Sequence, residues 1–221
     1  MDHKKEILKT IERMSGRYSA YEVFTDWIRC MAIGISNSTH IMHDSIWKER
    51  EQSYINTIRK YTCEEQNDFC EMTAWLTDTM NDGPEDVLGD IYMKSGMGSK
   101  ATGQFFTPFH LSELTARLAI SIKELDKDSV IELNEPSCGG GGMVIAAAKI
   151  LQEAGINYQK RLRVVAQDLD WKGVYMCYVQ LSLLGITALC VQGDTLQVPY
   201  SPSGTERSHI LYTPAAMGVL A

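Results

Sequence analysis

Val130-Ile-Glu-Leu-Asn-Glu-Pro-Ser-Cys-Gly-Gly-Gly-Gly-Met143 is the stretch on which the fold turns. Val130 to Leu133 reads as a short strand leading to an acid, Glu135, and the apolar run Met143 to Leu151 reads as a helix. Between them stand Pro136, Cys138 and four consecutive glycines, Gly139 to Gly142. Glycine adopts positive φ without penalty and lets the backbone approach a ligand closely. A helix start adds N–H groups with no partner inside the helix. Strand, glycine turn and helix together make a pocket of the nucleotide-binding type.

Towards the C-terminus the alternation continues. Arg163 to Asp170 reads as a second strand ending in Asp168 and Asp170, and Trp171 to Leu184 as a helix stopped by Gly185. Thr187 to Val191 is a third strand followed by Gly193-Asp194, and a proline-containing loop, Pro199 to Gly204, leads to a fourth at His209 to Tyr212. Alternating strands and helices predict an α/β fold with a parallel sheet and crossover helices. Ligands of such sheets lie beyond the carboxyl ends of the strands, near a switch in strand order. Glu135, Asp168 and Asp194 all fall at predicted strand ends and are expected to share one crevice.

Three acids around a glycine turn suit a nucleoside better than a phosphate. A carboxylate can accept hydrogen bonds from both hydroxyls of a ribose, and another from an adenine amine. Glu135 would repel a pyrophosphate. The turn is neither a GxGxxG fingerprint nor followed by the Gly-Lys-Ser/Thr of a triphosphate loop.

Residues 1–95 read as helical. Ile7, Leu8, Ile11 and Met14 share a helical face, Ser19 is placed to cap a second helix, and a third runs from near Thr39 to Tyr61. Thr62-Cys-Glu-Glu65 has the form of a capping box, and Pro84 suits the first turn of a helix containing Val87, Leu88 and Tyr92. The methionine and aromatic stripes of this region are read as core. Residues 96–221 form the second unit, entered through the glycine- and serine-rich joint Lys94 to Gly103. Thr107 is then placed to cap a helix from Pro108 to Leu125 with Leu111, Leu114, Leu118 and Ile122 as its apolar positions.

Of the 221 residues, 44% are hydrophobic, enough for a sizeable core, and the net charge of −7 disfavours a chain that grips nucleic acid by itself. Six cysteines without a CxxC pair are read as reduced thiols of a cytoplasmic protein. No apolar run approaches a membrane span.

Taken in order, Asp86-Val-Leu-Gly-Asp-Ile-Tyr92, Gly103-Gln-Phe-Phe-Thr-Pro108, Glu135-Pro-Ser-Cys-Gly-Gly-Gly141, Ala166-Gln-Asp-Leu-Asp170 and Gly193-Asp-Thr-Leu196 resemble the motifs of N6-adenine DNA methyltransferases, specifically the modification subunits of type I restriction–modification systems. The resemblance implies a Rossmann-like, S-adenosylmethionine-dependent methyltransferase sheet behind a helical N-terminal region. It places Phe106, Thr107 and Pro108 beside the methionine part of the cofactor. Glu135, Pro136 and the backbone of Cys138, Gly139, Gly140 and Gly141 would lie at its amino-acid end, Asp168 at the ribose and Asp194 at the adenine amine. DNA is the implied substrate.

One motif departs from the family. Where the family has Asn-Pro-Pro-Phe after the fourth strand, this chain has Thr213-Pro214-Ala215-Ala216. The asparagine there accepts from the target amine and the ring stacks on the flipped base. Thr213 offers one acceptor and Ala216 no ring. Thr213 and Pro214 are therefore the degenerate catalytic candidates, with Tyr212 a ring one position earlier. The sheet is short for the family, and its fourth strand is expected to be an apolar edge that a partner protein, self-association or a missing C-terminal half would cover. Three functions fit: an adenine methyltransferase acting with a partner or a further segment, a non-catalytic cofactor-binding or scaffolding protein derived from one, or a methyltransferase that uses the same cofactor pocket on a substrate other than DNA.

Overall fold

The computed structural model describes residues 2–97, 106–122, 125 and 129–217. Five helices come first. In α1 (His3–Met14) Asp2 accepts from the Lys5 amide, and in α2 (Ala20–Thr39) Ser19 accepts from that of Glu22, as its position predicted. The next helix, α3 (Ser45–Ile58), starts later than expected because Asp44 takes the cap, accepting from Trp47 N. In α4 (Cys63–Asn81) both hydrogen bonds of the Thr62–Glu65 capping box are present. For α5 (Val87–Lys94) the cap is Asp86, so Pro84 lies before the helix rather than in its first turn.

The sixth helix, α6 (Phe109–Ala119), departs most from expectation. Pro108 is extended (φ −53°, ψ 133°) and fills the N-cap position, with no capping bond from a side chain, so Thr107 is not the cap. Its buried residues are Ser112 and Ala116, and Leu111, Leu114 and Leu118 face outward. The cause is the neighbour. α7 (Gly142–Glu153) presents Ala146 and Ile150 to Ala116, and small residues on both helices allow close approach that a leucine ridge would prevent. Ile122, beyond the helix end, does pack against this cluster.

The sheet contains β1 (Ile131–Glu135), β2 (Leu162–Asp168), β3 (Thr187–Gln192) and β4 (Ile210–Tyr212), in that spatial order. α7 and the single turn α8 (Tyr158–Arg161) connect β1 to β2, and α9 (Trp171–Leu183) connects β2 to β3. Both of these strand pairs are parallel. β4, by contrast, pairs antiparallel with β3, Cys190 opposite Leu211. This corrects the all-parallel expectation, and the loop supplies the reason. A parallel return needs a crossover to the other end of the sheet. Here the loop stays at the carboxyl end of β3, where His209 Nδ1 lies 3.2 Å from Gln192 O, so the chain turns back on itself. Strand order is sequential, with no switch in order among these strands.

Alternation along the strands separates two faces. Val164, Ala166, Ala188, Cys190 and Leu211 join a core shared with the helices, whereas Leu189, Val191 and Ile210 form a smaller cluster with Val165, Tyr200 and Tyr212. The larger core is continuous from Ile7 and Trp27 in the helical region to Val174 and Leu181 under the sheet. Fully buried side chains such as Phe24, Leu88 and Ile91 each contribute roughly 1.5–3 kcal/mol. Helices and sheet are thus fastened by shared apolar packing.

The β4 edge is not bare. Arg50 of α3 donates from Nη2 to Ile210 O (2.9 Å) and Ser208 O (3.4 Å), and from Nη1 to Ser36 Oγ (2.9 Å). Outward carbonyls that could have recruited another strand are thereby occupied.

Candidate functional site

The glycine turn is shaped by its own φ angles and by side chains reaching it from three elements. Gly139 (φ 48°) and Gly141 (φ 92°) both occupy left-handed conformations that disfavour a Cβ. The Cys138 amide donates to Gln167 O (2.9 Å) and the Gly141 amide to Cys138 O (2.7 Å), which closes the turn over the end of β2. Asp168 then anchors it: Oδ2 accepts from Gly139 N at 2.8 Å and Oδ1 from Asp170 N at 3.0 Å. From α9, the fully buried Gln180 donates from Nε2 to Gly140 O (2.7 Å) and to Asp86 Oδ1 (2.8 Å), and its Oε1 accepts from Leu88 N (3.0 Å). All of that amide's donors are satisfied, as burial demands.

Above the turn lies a cleft of about 250 Å³. Phe106, Thr107, Cys138, Gly139, Gly140 and Asp168 line it, together with Asp86, Ser112, Ser137, Gly142 and Met143. Two of these residues are acids, and no lysine, arginine or histidine is among them. The cleft therefore favours a cationic or hydroxyl-bearing ligand over a phosphate. Phe106 walls one side, and a Cβ on Gly139 would come to 2.9 Å from its ring. Burial pushes the Asp86 carboxyl up, against the hydrogen bonds from Gln180 and Gly89 N that favour its charged form. A hydrogen bond with Cys177, together with burial, pushes the Cys138 thiol well up, which favours its neutral form.

The remaining sequence-derived candidates surround this cleft or lie away from it. Glu135 ends β1 and accepts from Ser137 N (3.2 Å), and Pro136 O accepts from Thr195 Oγ1 (2.7 Å). The latter bond draws the Asp194 loop to the glycine turn, and Gly193 N donates to Asp168 O at 2.9 Å. Asp194 Oδ1 accepts from Leu196 N and Gln197 N, leaving its other oxygen for a ligand. Leu169 and Leu196, beside the two acids, are largely exposed. Gly141 packs on Cys177 beneath the turn. Pro108 caps α6 outside the cleft, and Gly103 to Phe105 lie outside the described residues.

Thr213 and Pro214 are at the other end of the sheet. Because β4 is antiparallel, its carboxyl end meets the start of β3: Thr213 Oγ1 donates to Ile186 O (2.7 Å) and accepts from Ala188 N (2.9 Å). Thr213 is fully buried, with its hydroxyl committed to backbone. A larger, mainly apolar cleft of about 410 Å³ lies near β4, between it and α2 and α3, and includes Thr39, Ile41, Met42 and Met217. It lies apart from the glycine turn and its acids.

Of the three acids expected to share one crevice, Asp168 lines this cleft and Glu135 and Asp194 do not, whereas Asp86 and Ser112, which sequence reasoning missed as parts of it, do. Asp86 carries a legible signal, since Asp-x-x-Gly is a capping pattern, but a cap gives no hint of a pocket. Ser112 carries none, because its position depends on how closely α6 approaches α7.

The family model of N-6 DNA methylases matches residues 83–214, which include every element of this cleft. The chain belongs to the N-6 DNA methylase family. Within the curated proteins, the type I restriction enzyme MpnII methylase subunit of Mycoplasma pneumoniae is 37% identical over 106 residues, 46% of this chain. The chain spans only 18% of that relative's length. Among solved structures, a class I S-adenosylmethionine-dependent methyltransferase of Listeria monocytogenes aligns with a TM-score of 0.46 and 10% identity, over 84% of this chain and 51% of that one. As an N-6 DNA methylase family member the chain pairs an α/β sheet with a helical N-terminal region. Among the described residues no helix is long and apolar enough to cross a membrane.

Proposed function

We propose that this chain binds S-adenosylmethionine along the glycine turn and forms the cofactor-holding part of an N6-adenine DNA methyltransferase of the type I modification kind, working in the cytoplasm. The observation that carries this reading is the acidic, glycine-lined cleft: Asp168 is fixed against Gly139, and the Asp194 loop is tied to Pro136. Asp168 retains lone pairs for ribose hydroxyls, Asp194 has an oxygen for the adenine amine, and Phe106 and Thr107 flank the amino-acid end. Bound there, the cofactor would supply an electrophilic methyl group. The chain's residues would orient it and keep phosphate-bearing competitors out by charge.

The acceptor side is a separate matter. Thr213 and Pro214, the degenerate counterparts of the family's Asn-Pro motif, stand at the far end of the sheet from the cleft, and Thr213 is locked into backbone hydrogen bonds. Adenine binding in DNA is accordingly assigned to a partner protein or to a further segment. That position also favours the second reading, a non-catalytic cofactor-binding scaffold derived from the family.

Calorimetry with S-adenosylmethionine tests the cleft, with micromolar binding expected and at least tenfold weaker binding after Asp168→Ala. No binding by the folded chain removes both readings. Labelled methyl transfer to mixed DNA then separates them. Turnover by the isolated chain rejects the scaffold, and binding without transfer, restored by a partner, supports the divided enzyme.

A further inference from the structure

The inner end of the cleft holds two polar groups that the fold itself leaves over. Asp86 is 4% exposed, and its Oδ1 takes both hydrogen bonds that cap and tether it, from Gly89 N (3.0 Å) and Gln180 Nε2 (2.8 Å). Oδ2 has no hydrogen-bond or ion-pair partner among the described residues. Lys4, whose charge is felt at Asp86, pairs with Glu85 and Asp90 instead. Ser112 is wholly buried, and its Oγ likewise has no partner there. The two meet at Gly142: a Cβ at that glycine would stand 2.9 Å from Asp86 Oδ2 and 3.6 Å from Ser112 Oγ. A Cβ at Gly89 would overlap the same carboxylate oxygen. Glycines on two sides thus leave space around an acceptor that no described residue satisfies. A wholly buried hydroxyl without a partner, as at Ser112 Oγ, is rare.

We propose that Asp86 Oδ2 and Ser112 Oγ form the seat of the ligand's α-ammonium group. The assignment rests on the S-adenosylmethionine reading and adds to it which atoms receive the amino end. Asp168 holds the turn at Gly139 and Asp86 abuts it at Gly142, so the two acids stand at opposite ends of a segment whose ends are at most about 10 Å apart. A nucleoside at the first and a primary amine at the second match a ligand with a hydroxyl-rich head and a cationic tail. An ammonium offers three donors, enough for both acceptors and a turn carbonyl.

The test uses the full chain and three ligands read by calorimetry, with weak ones read by competition: S-adenosylmethionine, S-adenosylhomocysteine and 5′-deoxy-5′-methylthioadenosine. The third lacks the amino-acid end, and the second keeps the ammonium but loses the positive sulfur. Asp86→Asn preserves the acceptor that caps α5 and replaces only the free oxygen with a donor. It is expected to weaken the first two ligands at least tenfold and to leave the third within about twofold. Ser112→Ala should weaken the same two ligands less. Equal losses on all three ligands, or none, reduce Asp86 to a structural cap and overturn the assignment. Loss confined to S-adenosylmethionine would mean that the carboxylate faces the sulfonium and would equally overturn it. If the unaltered chain binds none of the three, the cofactor reading fails and the assignment falls with it. If binding is intact and only the pattern of losses differs, the cofactor reading stands alone.

Discussion

Adding one methyl group at Gly141 probes the turn where it rests on α9. The residue has φ 92° and ψ 9°, and a Cβ there would lie 3.1 Å from Cys177 Sγ and 3.4 Å from Cys177 Cα. A left-handed alanine costs about 1–2 kcal/mol. Overpacking adds about 1–3 kcal/mol, because one of the opposed atoms is α9 backbone and cannot swing aside. The smaller entropy of the unfolded alanine chain returns about 0.4–1 kcal/mol. The net loss is roughly 3 kcal/mol, and for a chain of this size that lowers Tm by about 6–12 °C. Urea denaturation followed by circular dichroism measures it. Gly155→Ala is the matched control, since Gly155 has φ 74° but open space around its Cβ position, so it carries the strain without the collision. Gly141→Ala should exceed the control by about 1–3 kcal/mol. Equal losses in the two variants would show that α9 yields and that the turn is not pinned from below.

Two further outcomes can be checked with the same assays. Thr213→Val removes a buried hydroxyl bonded to Ile186 O and Ala188 N, and should lower stability by about 1–3 kcal/mol while leaving S-adenosylmethionine affinity unchanged. A tenfold loss of affinity would contradict its placement away from the cleft. Asp86 sets a pH dependence. Burial raises its folded-state pKa above the unfolded value, so the native chain binds more protons than the unfolded one between those two values. Stability contributed by this group is greatest below the unfolded pKa and falls as pH rises through the raised one. Urea midpoints taken from about pH 4 to pH 7 should therefore decline relative to those of Asp86→Asn. A difference that is flat or rises with pH would contradict the burial argument.

Some of these features are written locally in the chain. Ser19 and the Thr62–Glu65 box announce their helices because capping depends on residues three apart. The first three strands and the glycine turn are legible for a similar reason: apolar runs, glycines and strand-end acids follow one another within short windows. What was not legible depends on partners distant in sequence. The outward turn of Leu111, Leu114 and Leu118 follows from the small residues of α7, which the periodicity of α6 does not encode. The direction of β4 depends on where a loop without an α-helix carries the chain, and its strand pattern reads the same in either direction. Asp86 announces a cap, yet its second oxygen matters only because Gly142 and Ser112 arrive from elsewhere.

Arg50 has a consequence for how the molecule forms. Its guanidinium joins α3 to the Ile210 carbonyl across 160 positions of sequence, and burial lowers its pKa, so its charge is largely removed from water. Contacts this distant contribute only after the intervening chain has been ordered, which slows folding. In a chain made from its N-terminus, α3 exists well before β4 and waits with an unmet donor. Completion of the last strand and docking of the helical region are then expected to be one kinetic event. A lesion at Arg50 would be felt first as faster opening of β4, at the opposite side of the sheet from β1 and far along the chain from the substitution.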